Sequence, residues 1–228
     1  MANSPVKTDV AGAVGVAILA RAPIPGQVKT RLIPALGSAG AARFQHWLLQ
    51  RTVHMALAAD IGPVSLWCDG APRHPDFAVC HSFERVTVRQ QVGDDLGMRM
   101  LTALQESPNP QGTLVIGTDC PVMTARHLHL AAQSLRDHDA VVMPAEDGGY
   151  VLIGMKTPDP RLFQGITWGS EQVMAQTRLR LSELGWRWAE PVGLWDVDRP
   201  ADFERLAALM PGLRADLLRQ HGDRSNSP

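Results

Sequence analysis

Short apolar segments alternate along the chain with longer segments in which apolar residues recur at helical spacing. The apolar segments have the length of strands, and the periodic ones have the length of helices. The predicted strands are residues 14–20, 63–68, 85–91, 113–119, 139–145 and 148–155. The predicted helices are residues 38–60, 95–106, 124–137 and 170–184, and a last helix that begins at Pro200 after a strand ending near residue 198.

This alternation predicts βαβ units and a mostly parallel sheet covered by helices on both faces, the architecture of a three-layer α/β sandwich. We expect residues 1–228 to form a single domain, with flexible tails at 1–12 and 221–228. No apolar run approaches the roughly 20 residues that a membrane span needs. The apolar N-terminal segment resembles a secretion signal, but Asp9 and Arg21 disfavour that interpretation, and a cytoplasmic protein is expected.

Charge and cysteine content exclude some classes of protein. Lysine and arginine total 22 and aspartate and glutamate 23, so the net charge of −1 disfavours a nucleic-acid binder. Three cysteines without a Cys-x-x-Cys pair disfavour a disulfide framework and favour a reducing compartment.

The loop after the first predicted strand is stiffened by prolines and carries positive charge. It contains Pro23 and Pro25, and then Lys29 and Arg31. In an open α/β sheet, ligands bind at the carboxyl ends of the strands, so cations here favour phosphate binding. The loop is not a Walker P-loop, because Val28 stands where that pattern needs a glycine, and a P-loop kinase is therefore disfavoured.

Carboxylates follow two other predicted strands. Asp119 stands at the end of residues 113–119, where a carboxylate can hold Mg²⁺ together with phosphate oxygens. Asp196 and Asp198 alternate in the last segment, so either could complete a divalent cation site with Asp119. The alternative for one of them is to cap the helix at Pro200.

Two glycine-containing turns are candidates for ligand contact or for local structure alone. Asp147-Gly148 between two apolar strands is a hairpin signal, and Asp147 is alternatively a residue that accepts a proton from an acceptor hydroxyl. Asp94 or Asp95 is a natural N-cap for the helix that follows, while Gly93 and Gly97 would allow a ligand to approach closely. Cys120 is interpreted as a small buried residue.

Six segments in the same order resemble those of the bacterial arsenosugar-biosynthesis-type glycosyltransferases, a family once classed as a domain of unknown function. The segments are ARAPIPGQVKTRL, QQVGDDLGMRM, IGTDCP, PAEDGGYVLIGM, ITWGSEQV and DVDRPADFERL. The resemblance extends from about residue 16 to residue 206. It implies the GT-A-like fold of the nucleotide-diphospho-sugar transferases, which also includes molybdenum-cofactor and phospholactate guanylyltransferases.

The resemblance also implies roles for individual residues. Catalytic roles fall to Asp119, Asp147 and Lys29. The implied metal ligands for Mg²⁺ or Mn²⁺ are Asp119 and Asp198. The implied nucleotide-binding residues are Ala20, Arg21, Pro23, Gly26, Lys29, Thr30, Arg31, Gly93, Asp95 and Gly97. The implied acceptor-binding residues are Asp147, Gly148, Gly149, Tyr150 and Trp168.

Two positions depart from the pattern of the family, which usually has lysine in place of Arg21 and serine or threonine in place of Gly169. The expected partners are a nucleotide or nucleotide-sugar and a small-molecule acceptor, with no nucleic acid and no membrane, and a homodimer is one expected state of assembly. Three functions are consistent with these residues: a glycosyltransferase, which the family name favours, a nucleotidyltransferase that releases pyrophosphate, and a nucleotide-binding module without catalysis.

Overall fold

A seven-stranded sheet forms the centre of the protein. The computed structural model describes residues 13–70, 73–80, 83 and 85–219, so the two predicted tails lie outside the described residues. The strands are β1 Gly15–Arg21, β2 Val64–Asp69, β3 Val86–Gln90, β4 Thr113–Ile116, β5 Ala140–Pro144, β6 Tyr150–Met155 and β7 Trp188–Ala189. The helices are α1 Ile33–Ala59, α2 Pro75–Cys80, α3 Leu96–Glu106, α4 Ala125–Asp137, α5 Val173–Glu183, α6 Pro200–Leu209 and α7 Leu213–Arg219, with 3₁₀ turns at Thr30–Leu32 and Pro160–Phe163.

The strand order is β3-β2-β1-β4-β6-β5-β7. The neighbouring pairs β3/β2, β2/β1, β1/β4 and β5/β7 are parallel, and only β6 runs antiparallel to its neighbours β4 and β5. The antiparallel strand follows from the predicted hairpin, since residues 145–149 connect β5 directly to β6. The predicted three-layer α/β fold with a mostly parallel sheet is confirmed.

Helices cover both faces of the sheet because successive strand residues point to opposite faces. Val16 and Ile18 of β1 pack with side chains of α1 and α4, whereas Ala17 packs with side chains of α3 and α5. Burying a leucine or isoleucine side chain fully contributes about 1.5–3 kcal/mol, so these two layers account for much of the stability of the fold.

A third apolar cluster joins the C-terminal helices to α1. Phe44 and Leu48 of α1 pack against Phe203 and Leu206 of α6, with the Phe44 and Phe203 rings 5.2 Å apart and nearly perpendicular. This cluster also includes Val197. It therefore holds the segment before α6 beside the carboxyl end of the sheet.

Helix α1 has a kink at Gly37, where φ is 68° and only glycine is unstrained, so the predicted helix over residues 38–60 corresponds to the part of α1 after the kink, and a short turn from Ile33 precedes it. Two local predictions were wrong. Helical spacing predicts that Leu96 shares a face of α3 with Met100, Leu101 and Leu104; those three side chains are buried, but Leu96 is 46% exposed. Residues 194–198 form only an isolated bridge between Leu194 and Ala145 instead of a strand.

Within the part of the chain that the structure describes, no helix combines the length and apolarity that crossing a bilayer requires.

Candidate active site

A cavity of about 770 Å³ opens where β1 and β4 separate. The register of these strands ends at the pair Ile18–Ile116, and β1 continues to Arg21 beside β2 alone. In open α/β sheets, such a point at which the strand order reverses is where ligands bind. Predicted site residues that line the cavity are Ala20, Arg21, Lys29, Thr30, Arg31, Asp95, Asp119, Tyr150 and Asp198.

The loop after β1 turns tightly through main-chain hydrogen bonds. Ile24 N–H donates to Ala22 O at 2.7 Å, and Gln27 N–H donates to Ile24 O at 3.0 Å. Gly26 has a φ of 81°, which suits glycine. Of the predicted nucleotide-binding residues, Pro23 and Gly26 shape this loop and do not line the cavity.

Lys29 is buried at the base of this loop. Its side chain is 4% exposed, and its Nζ lies 2.9 Å from Asp119 Oδ1 and 2.6 Å from Val197 O. The main chain of Lys29 has the left-handed conformation, with φ 46° and ψ 42°. The ammonium group therefore connects three parts of the site: the first loop, the end of β4 and the segment before α6.

Arg31, the second predicted phosphate ligand, forms an ion pair with Asp198. Both side chains remain partly exposed, so a bound anion could compete for the guanidinium group. The pairing engages Asp198 Oδ2, whereas Asp196 forms no ion pair among the described residues and lines the same cavity, so Asp196 is taken below as the candidate for the second metal ligand.

Capping of α6 does not require either of these carboxylates. Asp202 caps that helix instead, accepting from the main-chain N–H groups of Asp198 at 3.2 Å and Arg199 at 2.7 Å. Asp196 and Asp198 both line the cavity, so the local capping interpretation does not explain them.

Two buried residues, Gln45 and Thr118, form a hydrogen-bonded pair that orients the carboxylate group of Asp119. Gln45 of α1 donates to Thr118 Oγ1 at 3.1 Å, and Thr118 Oγ1 donates to Asp119 Oδ1 at 3.3 Å. Val197 N–H donates to Asp119 O at 2.8 Å, which brings residues 196–198 beside the end of β4. Asp119 itself is half exposed, so its carboxylate is accessible from the cavity.

Negative charge is concentrated around Asp196. Burial, followed by repulsion from Asp147 and Asp119, raises the pKa of Asp196 to about 6, whereas the positive charge of Lys29 opposes this rise. Among the described residues, no three histidine, cysteine, aspartate or glutamate side chains are grouped as a complete metal site. Asp119 and Asp196 nevertheless suit Mg²⁺, because this ion commonly takes one or two protein carboxylates together with water and substrate phosphate oxygens.

The cavity is also lined by Asp69, Gln91 and Arg99, polar residues that are not among the predicted site residues. Asp69, at the end of β2, accepts from Arg21 Nε at 3.2 Å and from Arg99 at 2.9 Å. Gln91 Nε2 donates to the main-chain oxygens of Ala20 and Trp67 at 3.2 and 2.9 Å. Asp69 could have been found from the sequence, because it directly follows the second predicted strand.

The predicted site residues in and after the turn before α3, Gly93, Asp95 and Gly97, have local structural roles. Asp95 caps the helix by accepting from Met98 N–H at 2.8 Å. Gly93 has a φ of 139°, and a Cβ there would lie 2.7 Å from Arg99 N. A Cβ on Gly97 would lie 2.6 Å from the ring of Trp168, so the close approach at Gly97 is made by a side chain of the protein.

The predicted acceptor-binding residues surround the start of β6. Asp147 is exposed and accepts from Gly149 N–H at 2.9 Å. Gly148, with a φ of 89°, packs so closely on Glu171 that a Cβ would lie 2.2 Å from its carbonyl oxygen. Asp147, Gly148, Gly149 and Trp168 do not line the cavity, whereas Tyr150 does.

Two further side chains are poor candidates for proton transfer or nucleophilic attack. Tyr150 meets Trp168 edge to face at 6.5 Å, and burial raises the pKa of its hydroxyl group, which among the described residues donates only to Met100 Sδ at 3.7 Å. Burial likewise raises the pKa of Cys120 to about 12, consistent with its interpretation as a small buried residue.

Comparison with solved structures identifies relatives of this fold. A candidate nucleotide-diphospho-sugar transferase from Desulfovibrio desulfuricans G20 is 26% identical, with a TM-score of 0.77 over 91% of this chain and 94% of that chain. A nucleotidyl transferase from Methanothermobacter thermautotrophicus is 15% identical, with a TM-score of 0.53 over 92% and 100% of the two chains. A 4-diphosphocytidyl-2C-methyl-D-erythritol synthase from Anaerococcus prevotii is 10% identical, with a TM-score of 0.58 over 89% and 98%. The last two similarities show the fold alone.

No curated protein matches the sequence. A family model matches residues 52–170, slightly more than half of the chain; its family, DUF2064, is described as uncharacterized proteins conserved in bacteria. This protein therefore belongs to the DUF2064 family and has the α/β fold shared by nucleotide-diphospho-sugar transferases and nucleotidyltransferases.

Proposed function

We propose that this protein is a metal-dependent transferase that uses a nucleotide, and that it moves a sugar from a nucleoside-diphosphate sugar to the hydroxyl group of a small acceptor. One observation carries the proposal: residues from the first loop, the end of β4 and the segment before α6 meet in a single cavity at the switch point of the sheet. The similarity to the Desulfovibrio protein supports a diphospho-sugar donor.

The phosphate groups would bind at the first loop. The main-chain N–H groups of Lys29, Thr30 and Arg31 have no hydrogen-bond partner among the described residues, and all three residues line the cavity. A left-handed residue followed by a helical turn directs successive N–H groups toward one point, an arrangement that binds anions. Arg31 would add a charge-assisted hydrogen bond when a phosphate oxygen competes with Asp198.

Asp119 and Asp196 would hold Mg²⁺ or Mn²⁺. The bound ion would neutralise the charge that develops on the diphosphate leaving group. Asp119 is prepared for this role by Thr118 and Lys29, which fix one of its oxygens. Asp196 contributes a carboxylate in a region where negative charge exceeds positive charge.

The acceptor hydroxyl would bind beside the cavity, near Asp147, which does not line the cavity itself. This carboxylate is exposed, within electrostatic reach of Asp196, and held at one oxygen by Gly149 N–H. Its other oxygen is available to accept the proton of the attacking hydroxyl group. Tyr150 and Met100 would form the apolar wall behind the transferred sugar.

A nucleotidyltransferase is the second candidate. It is favoured by the cationic first loop, since attack on the α-phosphorus of a triphosphate develops charge on pyrophosphate next to that loop. Both candidates use the same residues and differ in which bond breaks.

Product analysis separates the two. The protein would be incubated with Mg²⁺, acceptor mixtures and either nucleoside-diphosphate sugars or nucleoside triphosphates with sugar phosphates, and the products followed by phosphorus NMR. Release of nucleoside diphosphate, absent in Asp119→Asn, supports the glycosyltransferase. Release of pyrophosphate supports the nucleotidyltransferase, and absence of both products with every donor contradicts a catalytic role.

A further inference from the structure

The buried ammonium group of Lys29 gives this residue a different task from the phosphate contact that the sequence predicts. Its side chain is 4% exposed, its Nζ donates a hydrogen bond to Val197 O at 2.6 Å, and the same nitrogen forms an ion pair with Asp119 Oδ1 at 2.9 Å. Little of its surface remains for a phosphate group. The side chain is directed at protein groups, whereas its main-chain N–H is free among the described residues.

The two contacts of Lys29 hold the proposed metal ligands in place. Asp119 Oδ1 is fixed by Lys29 and Thr118 together. Val197, whose carbonyl oxygen accepts from Lys29, is the neighbour of Asp196 and donates its own N–H to Asp119 O at 2.8 Å. A change at Lys29 would therefore alter the separation and orientation of Asp119 and Asp196.

The main chain of Lys29 is in a conformation that a side chain disfavours. Its φ of 46° lies in the left-handed region, which residues other than glycine rarely adopt without local support. The contacts of the ammonium group supply that support. The left-handed conformation in turn presents the N–H groups of Lys29, Thr30 and Arg31 to the cavity.

We propose that Lys29 is a positioning residue with two separable effects: its ammonium group sets the geometry of the metal ligands Asp119 and Asp196, and its left-handed main chain forms the phosphate-binding turn, so that its side chain does not itself bind phosphate. This inference rests on the proposed function, since it assigns how the nucleotide and metal subsites are held. It predicts that the two subsites respond differently to substitution.

Two substitutions at this position separate the effects. Both substitutions remove the ammonium group. Lys29→Gly permits the left-handed main chain, whereas Lys29→Met keeps a side chain, which disfavours the left-handed conformation. Pyrophosphate affinity would be measured by calorimetry in EDTA, and Mn²⁺ affinity by electron paramagnetic resonance without nucleotide. Thermal unfolding of each variant checks that it is folded.

We expect both variants to lose about 10–100-fold in Mn²⁺ affinity, the usual effect of removing a group that orients a metal ligand. Pyrophosphate affinity should stay close to that of the wild type in Lys29→Gly and fall in Lys29→Met. An equal loss of pyrophosphate affinity in both variants, or an unchanged Mn²⁺ affinity, would overturn the proposal. Both readouts are independent of turnover, so a wild type that binds both ligands but transfers no sugar would contradict the proposed function alone.

A measurement on the wild type keeps the proposal testable if the variants do not fold. The chain has three lysines, Lys7, Lys29 and Lys156, so ¹⁵N-lysine labelling gives an interpretable set of ammonium signals. Pyrophosphate in EDTA should shift the main-chain amide signal of Lys29 and leave its Nζ signal in place. A large shift of that Nζ signal with an unmoved Lys29 amide, or no binding of pyrophosphate at all, would overturn the proposal.

Discussion

The main-chain N–H of Val197 donates to the carbonyl oxygen of Asp119 at 2.8 Å. This single hydrogen bond joins the end of β4 to the segment before α6, although Val197 belongs to no strand. Because Asp196 and Asp198 lie on either side of Val197, the bond holds both carboxylates near Asp119, where either could bind the same metal ion as Asp119. The chemistry of the site therefore depends on an irregular segment that is held by packing of Val197 and Phe203 on α1.

The first prediction distinguishes the two carboxylates of this segment. Asp196→Asn should weaken Mn²⁺ binding by at least about tenfold, since even groups that only orient a ligand contribute that much. Asp198→Asn should change it by no more than about fivefold, because Asp198 is paired with Arg31 in a partly exposed ion pair, and such pairs contribute about 0–1 kcal/mol. Paramagnetic resonance titrations of the two variants provide a matched comparison, and the reverse order of effects would return the metal role to Asp198.

The second prediction concerns the contact between α3 and Trp168. Gly97→Ala would place a Cβ 2.6 Å from the Trp168 ring, and we expect a loss of about 1–3 kcal/mol in the free energy of unfolding from overpacking. Urea denaturation measures this loss. Gly193→Ala is the control, because its Cβ would meet no atom closer than 3.8 Å and its main chain is not left-handed, so its effect should stay within about 0.5 kcal/mol. Equal stabilities of the two variants would show that Trp168 moves away freely.

The third prediction is a pH dependence of stability away from the site. Arg178 holds the pKa of Glu190 below its usual value, through hydrogen bonds of 2.9 and 2.6 Å that connect α5 to the residue after β7. Because the folded pKa is depressed, this stabilisation is complete above the unfolded pKa of Glu190 and is lost as the pH falls through the folded pKa. Glu190→Gln should therefore lower the free energy of unfolding by about 1 kcal/mol at pH 7 and by progressively less in acid.

Urea denaturation of wild type and Glu190→Gln across pH 7 to 3 measures this difference. Convergence of the two curves in acid is expected. A difference that is independent of pH would mean that the ion pair does not contribute and that the substitution acts through the hydrogen bond from Trp188.

The general architecture could be predicted from the sequence because it depends on local patterns. Buried strands such as β1 and β4 are continuous apolar runs, and Asp119 follows β4 closely enough for the rule about strand ends to identify it. The hairpin at Asp147-Gly148 likewise depends on residues adjacent in sequence. These features need no knowledge of distant contacts.

The partners of each side chain could not be predicted in this way. Lys29 and Arg31 were expected to be directed at phosphate, but both pair with carboxylates contributed by distant segments, Asp119 and Asp198. Gly97 looked like a point of ligand approach, and its actual neighbour Trp168 lies far along the chain. Such pairings are set by tertiary packing, which local periodicity does not report.

A metal-dependent nucleotide site in this cavity is tested most directly by comparing the thermal unfolding of the wild type, Asp119→Asn and Asp60→Asn. Each protein is measured with nucleoside diphosphates and diphospho-sugars, with and without Mg²⁺ or Mn²⁺. Asp60 is the matched control because it forms an ion pair with Arg85 near the amino end of β2 and does not line the cavity. A ligand at about a hundred times its dissociation constant should add roughly 2.7 kcal/mol of stability. We expect this stabilisation in the wild type and in Asp60→Asn only when the metal is present, and we expect it to be lost in Asp119→Asn. Absence of stabilisation by every nucleotide in the wild type, or equal stabilisation of Asp119→Asn, would contradict a metal-dependent nucleotide site in this cavity.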